Sequence, residues 1–295
     1  MISRRILLFL LAVSSLLADS LADSLRARIA DFPGTVSLFA KNLDTGVAIG
    51  IRESEPVRTA STIKLPILLS VFDAVARGQA KWTDLLTVTA AEKVSGTGII
   101  GSEISDGVQL PLRDAANLMM VLSANTATNL ILERFSADSV NAYLDKLGIK
   151  TTRSMRKILG ANAERRGVSA AGKLPENQKY GIGLSTPHDM VAILEKLERG
   201  EIVSPDASKQ ILEIMRRCQD GNGIRRRFSG VKIINKTGAL DALRADVGIV
   251  YAKGGRIAMA ITVDGIPKPD WSPENPGLLM IADLAKLLVD GLEKR

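Results

Sequence analysis

The stretch TASTIKLPILLSVFDAVARG, residues 59–78, decides how the rest of the chain is interpreted. Its apolar residues follow a helical pattern from about Ser61 to Ala76, and Gly78 stands where a helix C-cap is expected. Ser61 and Lys64 are three residues apart, so a helix would place the hydroxyl and the amine on one face. The stretch therefore predicts an apolar helix that carries a serine and a lysine at its start.

A serine and a lysine in this arrangement suit nucleophilic chemistry. An amine within reach of a hydroxyl can accept its proton, and the N–H groups at a helix N-terminus stabilise the oxyanion of an acyl-transfer intermediate. The other interpretation, an N-cap serine followed by a surface lysine, is far more common for so short a motif. Ser61 and Lys64 therefore need support from elsewhere in the chain.

The composition limits the classes of function. The chain has 295 residues and a formal net charge of +7, which suits one large domain or two interlocked ones. Its basic residues form no long runs, and the arginine cluster around Phe228 lacks further aromatic residues for stacking, so we expect no nucleic-acid binding. With one histidine and one cysteine, the sequence has no metal-ligand spacing, and we predict no cofactor. We interpret Cys218 as a packed or semi-exposed thiol.

The first 22 residues follow the order of a secretory signal peptide. Two arginines precede an apolar run from Ile6 to about Val13, which is short for a membrane span, and small residues including Ser20 and Ala22 follow. We predict a signal peptide over 1–22, a secreted or periplasmic protein, and no stable membrane insertion after cleavage. An N-terminal anchor that is never cut is the alternative.

Strand patterns lie at both ends of the remaining chain, and helix patterns lie between them. Residues 34–51 read as two strands around a turn, and residues 231–238 and 247–265 read as further strands. This order predicts an α+β fold in which an antiparallel sheet is assembled from both chain ends, with flanking terminal helices and an inserted all-helical subdomain. A cleft between the two parts is the expected place for a site.

These patterns also give approximate boundaries. We expect one catalytic domain over 23–295, with the sheet subdomain at about 23–60 and 205–295. The helical subdomain occupies about 61–204.

Two further motifs support Ser61 and Lys64. Ser123-Ala124-Asn125 lies at a predicted junction between helices, and Lys236-Thr237-Gly238 ends a strand that is expected to edge the cleft. Alone, the first is a turn with an N-cap and the second a strand-end lysine before a turn glycine. In this order, the three elements are the set found in class A β-lactamases and penicillin-binding proteins. The chain resembles that family over nearly its whole mature length.

The resemblance implies roles for the residues that would carry the reaction. Ser61 would be the acylated nucleophile and Lys64 its proton-accepting partner. Ser123 would pass a proton to the leaving nitrogen, and Asn125 would contact an amide of the substrate.

The resemblance also implies a set of substrate-binding residues at the third motif. Lys236 and Thr237 would bind the substrate carboxylate, with Gly238 in the same strand end. The backbone N–H groups of Ser61 and Ala239 would form the oxyanion hole. Arg244 would be an additional carboxylate partner, for which a solvated surface arginine is the other interpretation.

The sequence departs from the family pattern in two places. Ala124 replaces the usual aspartate of the second motif, a change expected to affect local structure more than chemistry. In the long irregular segment TTRSMRKILGANAERRG, residues 151–167, the glutamate that activates water in class A β-lactamases is missing. Ile158 or Leu159 falls near its position, and Glu164 follows several residues later. In this respect the segment more closely resembles the penicillin-binding protein A type.

The leading hypothesis is a secreted serine acyl-transfer hydrolase that acts, as a monomer, on β-lactams or peptidoglycan stem peptides and deacylates slowly on β-lactams. A true class A β-lactamase, with Glu164 or Asp246 as the displaced base, is the first alternative. A non-catalytic β-lactam sensor is the second.

Overall fold

The computed structural model describes residues 20–159 and 165–293, so most of the predicted signal peptide and Glu164 lie outside the described residues. The strands are β1 (Thr35–Asn42), β2 (Ala48–Ile51), β3 (Val57–Arg58), β4 (Leu85–Thr87), β5 (Gln109–Pro111), β6 (Arg153–Ser154), β7 (Gly183–Ser185), β8 (Ile233–Leu240), β9 (Leu243–Ala252) and β10 (Gly255–Asp264). The helices are α1 (20–29), α2 (Lys64–Ala76), α3 (Ile100–Glu103), α4 (Leu112–Val121), α5 (Asn125–Phe135), α6 (Ala137–Lys146), α7 (Ala170–Lys173), α8 (Pro187–Glu198), α9 (Pro205–Arg216) and α10 (Pro276–Leu292).

The main sheet joins the two ends of the chain. Its strand order is β2-β1-β10-β9-β8, and each neighbouring pair is antiparallel. The central pair runs from Thr35 opposite Asp264 to Asn42 opposite Ile257. The predicted α+β fold, with an antiparallel sheet built from both chain ends, is confirmed.

The two faces of the sheet bury different helices because successive side chains of a strand point to opposite faces. On β10, Ile257, Met259 and Ile261 belong to an apolar cluster with residues of α1 and α10. The alternating residues Ala258 and Ala260 belong to the larger cluster that contains α2, α4, α5 and α8. One face is thus covered by the terminal helices and the other by the helices inserted between the strands.

Helix α2 is buried on all sides, as its continuous apolar sequence predicts. It begins at Lys64, one turn later than the sequence pattern suggests, because residues Ala60–Ile63 form a separate 3₁₀ turn. Pro66 in the first helical turn cannot donate a hydrogen bond to the carbonyl of Thr62, which separates the two turns. The 3₁₀ turn leaves Ser61 half-buried at the edge of the domain core.

Within the described part of the chain, no helix is both long and apolar enough to cross a membrane.

Candidate active site

The three sequence motifs meet at one cavity of about 260 Å³. The 3₁₀ turn, the junction between α4 and α5, and the outer strand β8 each contribute to its wall. The predicted site residues that line it are Ser61, Ser123, Asn125, Lys236, Thr237, Gly238 and Ala239. Lys64 lies directly behind this wall, where it is fully buried.

Gly238 brings β8 against the backbone of the nucleophile turn. A Cβ atom built at this position would lie 2.7 Å from the carbonyl oxygen of Thr59 and 3.0 Å from the nitrogen of Ser61. Ala60, between them, has a φ of +45°, which is strained for a residue with a side chain. Only glycine at 238 allows the strand edge and the turn of Ser61 to approach this closely.

The hydroxyl of Ser123 lies between two buried lysine amines. Lys64 Nζ is 3.2 Å from Ser123 Oγ, and it donates to the carbonyl oxygen of Ser123 at 2.7 Å and to Asn125 Oδ1 at 2.8 Å. Lys236 Nζ donates to Ser123 Oγ at 3.0 Å and to the carbonyl oxygen of Thr237 at 2.9 Å. The second motif therefore connects the first motif to the third.

Burial changes the proton affinity of both lysines. The pKa of Lys64 lies well below its usual value of 10.5, mainly because the charged amine is removed from water and also because Lys236 is close. Burial also lowers the pKa of Lys236, and Cys218, Asp246 and Asp220 partly oppose the effect. A neutral Lys64 has two hydrogens for its two shortest contacts and a lone pair for a hydroxyl proton. This is the protonation state that a general base requires.

The hydroxyl of Thr97 contacts both outer residues of the second motif. Ser123 has a φ of +55°, and Thr97 Oγ1 donates to its carbonyl oxygen at 2.5 Å. Asn125 Oδ1 lies 3.3 Å from the same threonine hydroxyl, and Asn125 Nδ2 donates to the carbonyl oxygen of Ser95 at 3.1 Å. The loop before α3 thus holds the serine and the asparagine in place.

Ala124, the middle residue of the second motif, points away from this network. It is buried, and a Cβ atom built at Gly98 would lie 2.6 Å from the Ala124 Cα atom. The contacts of Ser123 and Asn125 are made without a carboxylate at position 124. Alanine in place of the aspartate expected from the resemblance therefore affects how position 124 packs against Gly98.

Arg244 does not line the cavity. It is buried, and its guanidinium donates to the carbonyl oxygens of Leu240 and Leu243 at 2.5 and 2.7 Å, and also to that of Asp270. Its Cζ atom lies 4.7 Å from the ring centroid of Trp271. The structure places Arg244 against Trp271, with three of its hydrogen bonds made to main-chain carbonyl oxygens.

Asp246, the other carboxylate considered as a base, is enclosed within the protein. It accepts hydrogen bonds from the backbone N–H of Ile224 at 2.8 Å and from Asn235 Nδ2 at 3.0 Å. Burial raises its pKa to about 6. It lies opposite Thr237 in the sheet and is absent from the described cavity wall.

The long loop is tied to α5 near the second motif. Asn129 Nδ2 donates to the carbonyl oxygen of Ile158 at 3.0 Å, and the N–H of Ile158 donates to Asn129 Oδ1 at 2.9 Å. Asn125 and Asn129 are four residues apart on α5 and share one helix face. The backbone of Ile158 is therefore fixed about one helical turn from the asparagine that contacts Lys64.

A buried ion pair anchors the same loop. Lys157 Nζ donates to both carboxylate oxygens of Glu92 at 3.0 Å, and both side chains are more than nine-tenths buried. Lys157 also contacts Glu133, and Arg166 donates to Glu92 from the far end of the loop. These contacts connect both arms of the loop to the helical part of the domain.

Replacing Lys157 by Met should lower the free energy of unfolding by about 3 kcal/mol, because it leaves the buried Glu92 carboxylate with Arg166 as its remaining cation. Urea unfolding followed by circular dichroism measures the change. Lys196→Met is the matched control, since the Lys196–Glu201 pair at 3.6 Å is partly exposed, and its loss should cost less than about 1 kcal/mol. Equal effects of the two substitutions would contradict an anchoring role for Lys157.

Several cavity residues escaped the sequence interpretation. Thr97, Cys218, Asp220 and Trp271 line the wall, and Trp271 exposes 64% of its surface. The segment Ser95-Gly96-Thr97-Gly98, rich in turn-forming residues, was the one available signal for a functional loop. Cys218 is buried, as a packed thiol would be, yet its position in the wall depends on long-range packing.

The chain is similar to known proteins over most of its length. Residues 20–292 match the family described as "Beta-lactamase enzyme family". A solved β-lactamase from Sphaerobacter thermophilus DSM 20745 is 26% identical, with a TM-score of 0.78, and the alignment covers 92% of this chain and 96% of that one. A mutant of PBP-A, solved as an acyl-enzyme complex with penicillin G, is 25% identical, with a TM-score of 0.77 and coverage of 94% and 96%.

A curated relative has a different description. "Beta-lactamase regulatory protein BlaB" from Streptomyces cacaoi is 24% identical over 311 residues, which cover 94% of this chain and 99% of the relative.

Proposed function

Because the chain belongs to the beta-lactamase enzyme family, we propose that it is a serine hydrolase whose Ser61 is acylated by β-lactams or D-alanyl peptides. The observation that carries this proposal is the hydroxyl of Ser123 placed between the fully buried amines of Lys64 and Lys236, at the wall of the cavity that Ser61 lines. Both amines have hydrogen-bond partners, but neither forms an ion pair with a described carboxylate. Buried amines of this kind are costly and are typical of functional sites.

Acylation would begin at Lys64. Its neutral amine accepts the proton of the Ser61 hydroxyl while the oxygen attacks the carbonyl carbon of the substrate. The backbone N–H groups of Ser61 and Ala239 stabilise the oxyanion. As the bond from carbon to nitrogen breaks, Ser123 gives its proton to the leaving nitrogen and recovers one from Lys64, so protons balance over the step.

The third motif would orient the substrate. Lys236 and Thr237 line the cavity next to Ser123, where a cationic amine and a hydroxyl suit the carboxylate that β-lactams and D-alanyl peptides share. Trp271 adds an exposed aromatic surface at the same cavity, against which an apolar substrate side chain can pack.

We propose slow deacylation on β-lactams. The loop residue held one helical turn from the contact between Lys64 and Asn125 is Ile158, whose side chain cannot accept a proton from water. In the described part of the cavity wall the carboxylate is Asp220, and its Oδ1 already accepts two bonds from Asn222. Among the residues that the structure describes, the acyl-enzyme therefore has no well-placed base for the attacking water.

Two other functions are tested against this one. A true β-lactamase, with Glu164 as base, is favoured by the similarity to the Sphaerobacter enzyme. A sensor is favoured by the similarity to a protein described as a β-lactamase regulator. We further propose a secreted or periplasmic protein, on the signal-like pattern of residues 1–22.

Incubation with a fluorescent penicillin should label the folded protein covalently, and Ser61→Ala should abolish the label. Mass spectrometry over time then follows the adduct on Ser61. A lasting adduct is the expected result. An adduct that disappears with steady turnover, and persists in Glu164→Gln, would favour the β-lactamase. Folded protein without any adduct would exclude acylation by penicillins and favour the sensor.

A further inference from the structure

A second cavity, of about 310 Å³, opens on the side of the helical part of the domain. It lies between α4 and α9 and beside the end of α2. None of the residues in its described wall belongs to the wall of the Ser61 cavity. The catalytic proposal leaves this cavity unused.

The floor of this second cavity is apolar and aromatic. Phe72, Trp82, Ala116 and Ile214 contribute to it. The rings of Phe72 and Trp82 meet edge to face, with centroids 4.7 Å apart at an angle of 68°. A rigid aromatic floor of this kind suits a flat aromatic ligand, which gains apolar contact at little conformational cost.

The rim of the cavity has more cationic than anionic side chains available to a ligand. Among the described residues, neither Arg113 nor Lys209 has an ion pair, and Arg113 lies 5.4 Å from the ring centroid of Trp82. The rim carboxylate of Glu213 is paired with Arg216 at 2.6 Å. The remaining charges are those of Arg217, which donates to Asn117 at 2.9 Å, and Asp206, which accepts a bond from Gln210.

We propose that this cavity binds a planar aromatic carboxylate. The aromatic part packs against Trp82 and Ile214, the half-buried apolar residues of the wall, and the carboxylate faces Arg113 and Lys209. A charged head and a flat apolar body are the two features that this wall offers together.

The position of the cavity connects it with catalysis, on the basis of the proposed function. Helix α4 leads through Leu122 into Ser123, and α9 leads into Cys218, Gln219 and Asp220, all of which line the Ser61 cavity. The two segments are joined directly, because the N–H of Gln219 donates to the carbonyl oxygen of Val121 at 3.1 Å. We expect a ligand that binds better when these two helix ends are displaced to move Ser123 and so to change the rate of acylation.

Binding is tested by isothermal titration calorimetry with 2-naphthoate, and 2-naphthylmethylammonium serves as the cationic counterpart. We expect naphthoate alone to bind. Lys209→Glu should weaken its binding by at least about tenfold, because a rim cation becomes an anion. Lys173→Glu, the same charge change on an exposed lysine outside both cavities, should leave the affinity unchanged. Absent binding, preference for the ammonium compound, or equal effects of both variants would overturn the proposal.

Naphthoate could instead enter the Ser61 cavity through its carboxylate, so the titration is repeated with Thr237→Val. Binding that is lost in Thr237→Val and kept in Lys209→Glu would place the ligand at Ser61 and overturn the proposal. Saturating naphthoate should change the rate of penicillin labelling in the wild type and not in Lys209→Glu. An unchanged rate with demonstrated binding would overturn the coupling. Protein that binds naphthoate but never forms an adduct would refute the proposed function and leave the site standing.

Discussion

Replacing Lys64 by Met is expected to slow acylation of Ser61 by about 10²- to 10⁴-fold, the range that a general base contributes. The amine is fully buried with a lowered pKa, and in the proposed mechanism its neutral form accepts the Ser61 proton. The fold should survive, because Thr97 still donates to the carbonyl oxygen of Ser123, and Asn125 Nδ2 still donates to that of Ser95, after the lysine donor is removed. Met has a similar length and leaves no large void.

The same substitution should change how stability depends on pH. In the folded protein the pKa of Lys64 is lowered, so between that pKa and about 10.5 the unfolded chain binds more protons at this residue. Lys64 therefore lowers the free energy of unfolding at pH values below this window, and this penalty disappears as the pH rises through the window to about 10.5. Lys64→Met should remove this dependence and flatten the stability profile on the alkaline side.

Two measurements check the prediction for Lys64. The rate constant of labelling by a fluorescent penicillin gives the effect on acylation, and urea unfolding at several pH values gives the effect on stability. Lys41→Met is the matched control: this lysine is paired with Glu195 at 2.8 Å, on α8, and its loss should leave labelling unchanged. Normal labelling of Lys64→Met would refute the assignment of Lys64 as base.

Replacing Ile158 by Glu is expected to speed deacylation by about 10²-fold or more, because it supplies a base for the attacking water. The backbone of Ile158 is fixed by both atoms of the Asn129 amide, so the loop should keep its position. The new carboxylate would stand about one helical turn from Asn125 and Lys64. A lasting penicillin adduct should then become a transient one.

The position is tested against its neighbour. Leu159→Glu adds the same charge one residue later, where Asn129 makes no contact, and it should have a much smaller effect. Mass spectrometry of the adduct and turnover of a chromogenic cephalosporin report both variants. A lasting adduct on Ile158→Glu with normal acylation would contradict the prediction. A larger gain in Leu159→Glu would show that residue 159, and not residue 158, faces the attacking water.

The sequence predicts the fold well where a pattern has one structural solution. Alternation in β10 separates two buried faces. Helices α8 and α9 begin at Pro187 and Pro205, directly after the capping side chains of Thr186 and Ser204, which is a common sequence signal for a helix start. The apolar pattern does not give the start of α2. Pro66 separates a 3₁₀ turn from the helix, and the spacing of apolar residues is the same for both.

The site could be predicted only in part. Ser61, Ser123 and Lys236 belong to short motifs whose order carries information, and the structure brings them to one cavity. Arg244 was chosen for its charge and its place after β8, yet three carbonyl oxygens and Trp271 occupy its guanidinium. Which acceptors the guanidinium contacts depends on residues that are distant in the sequence, such as Asp270 and Trp271. A local sequence pattern therefore cannot predict it.

The pairing of β1 with β10 also determines when this molecule can form. One edge of β1 pairs with β2, which follows directly in the chain. The other edge has no partner until β10, more than two hundred residues later, has been synthesised. Such distant contacts are slow to form, since a long loop must close before they are made. Lys236 is supplied by β8, so the cavity around Ser61 is completed only with the last strands. A nascent chain that already contains Ser61, Lys64 and Ser123 therefore still lacks the part of the cavity wall that Lys236, Thr237 and Trp271 supply.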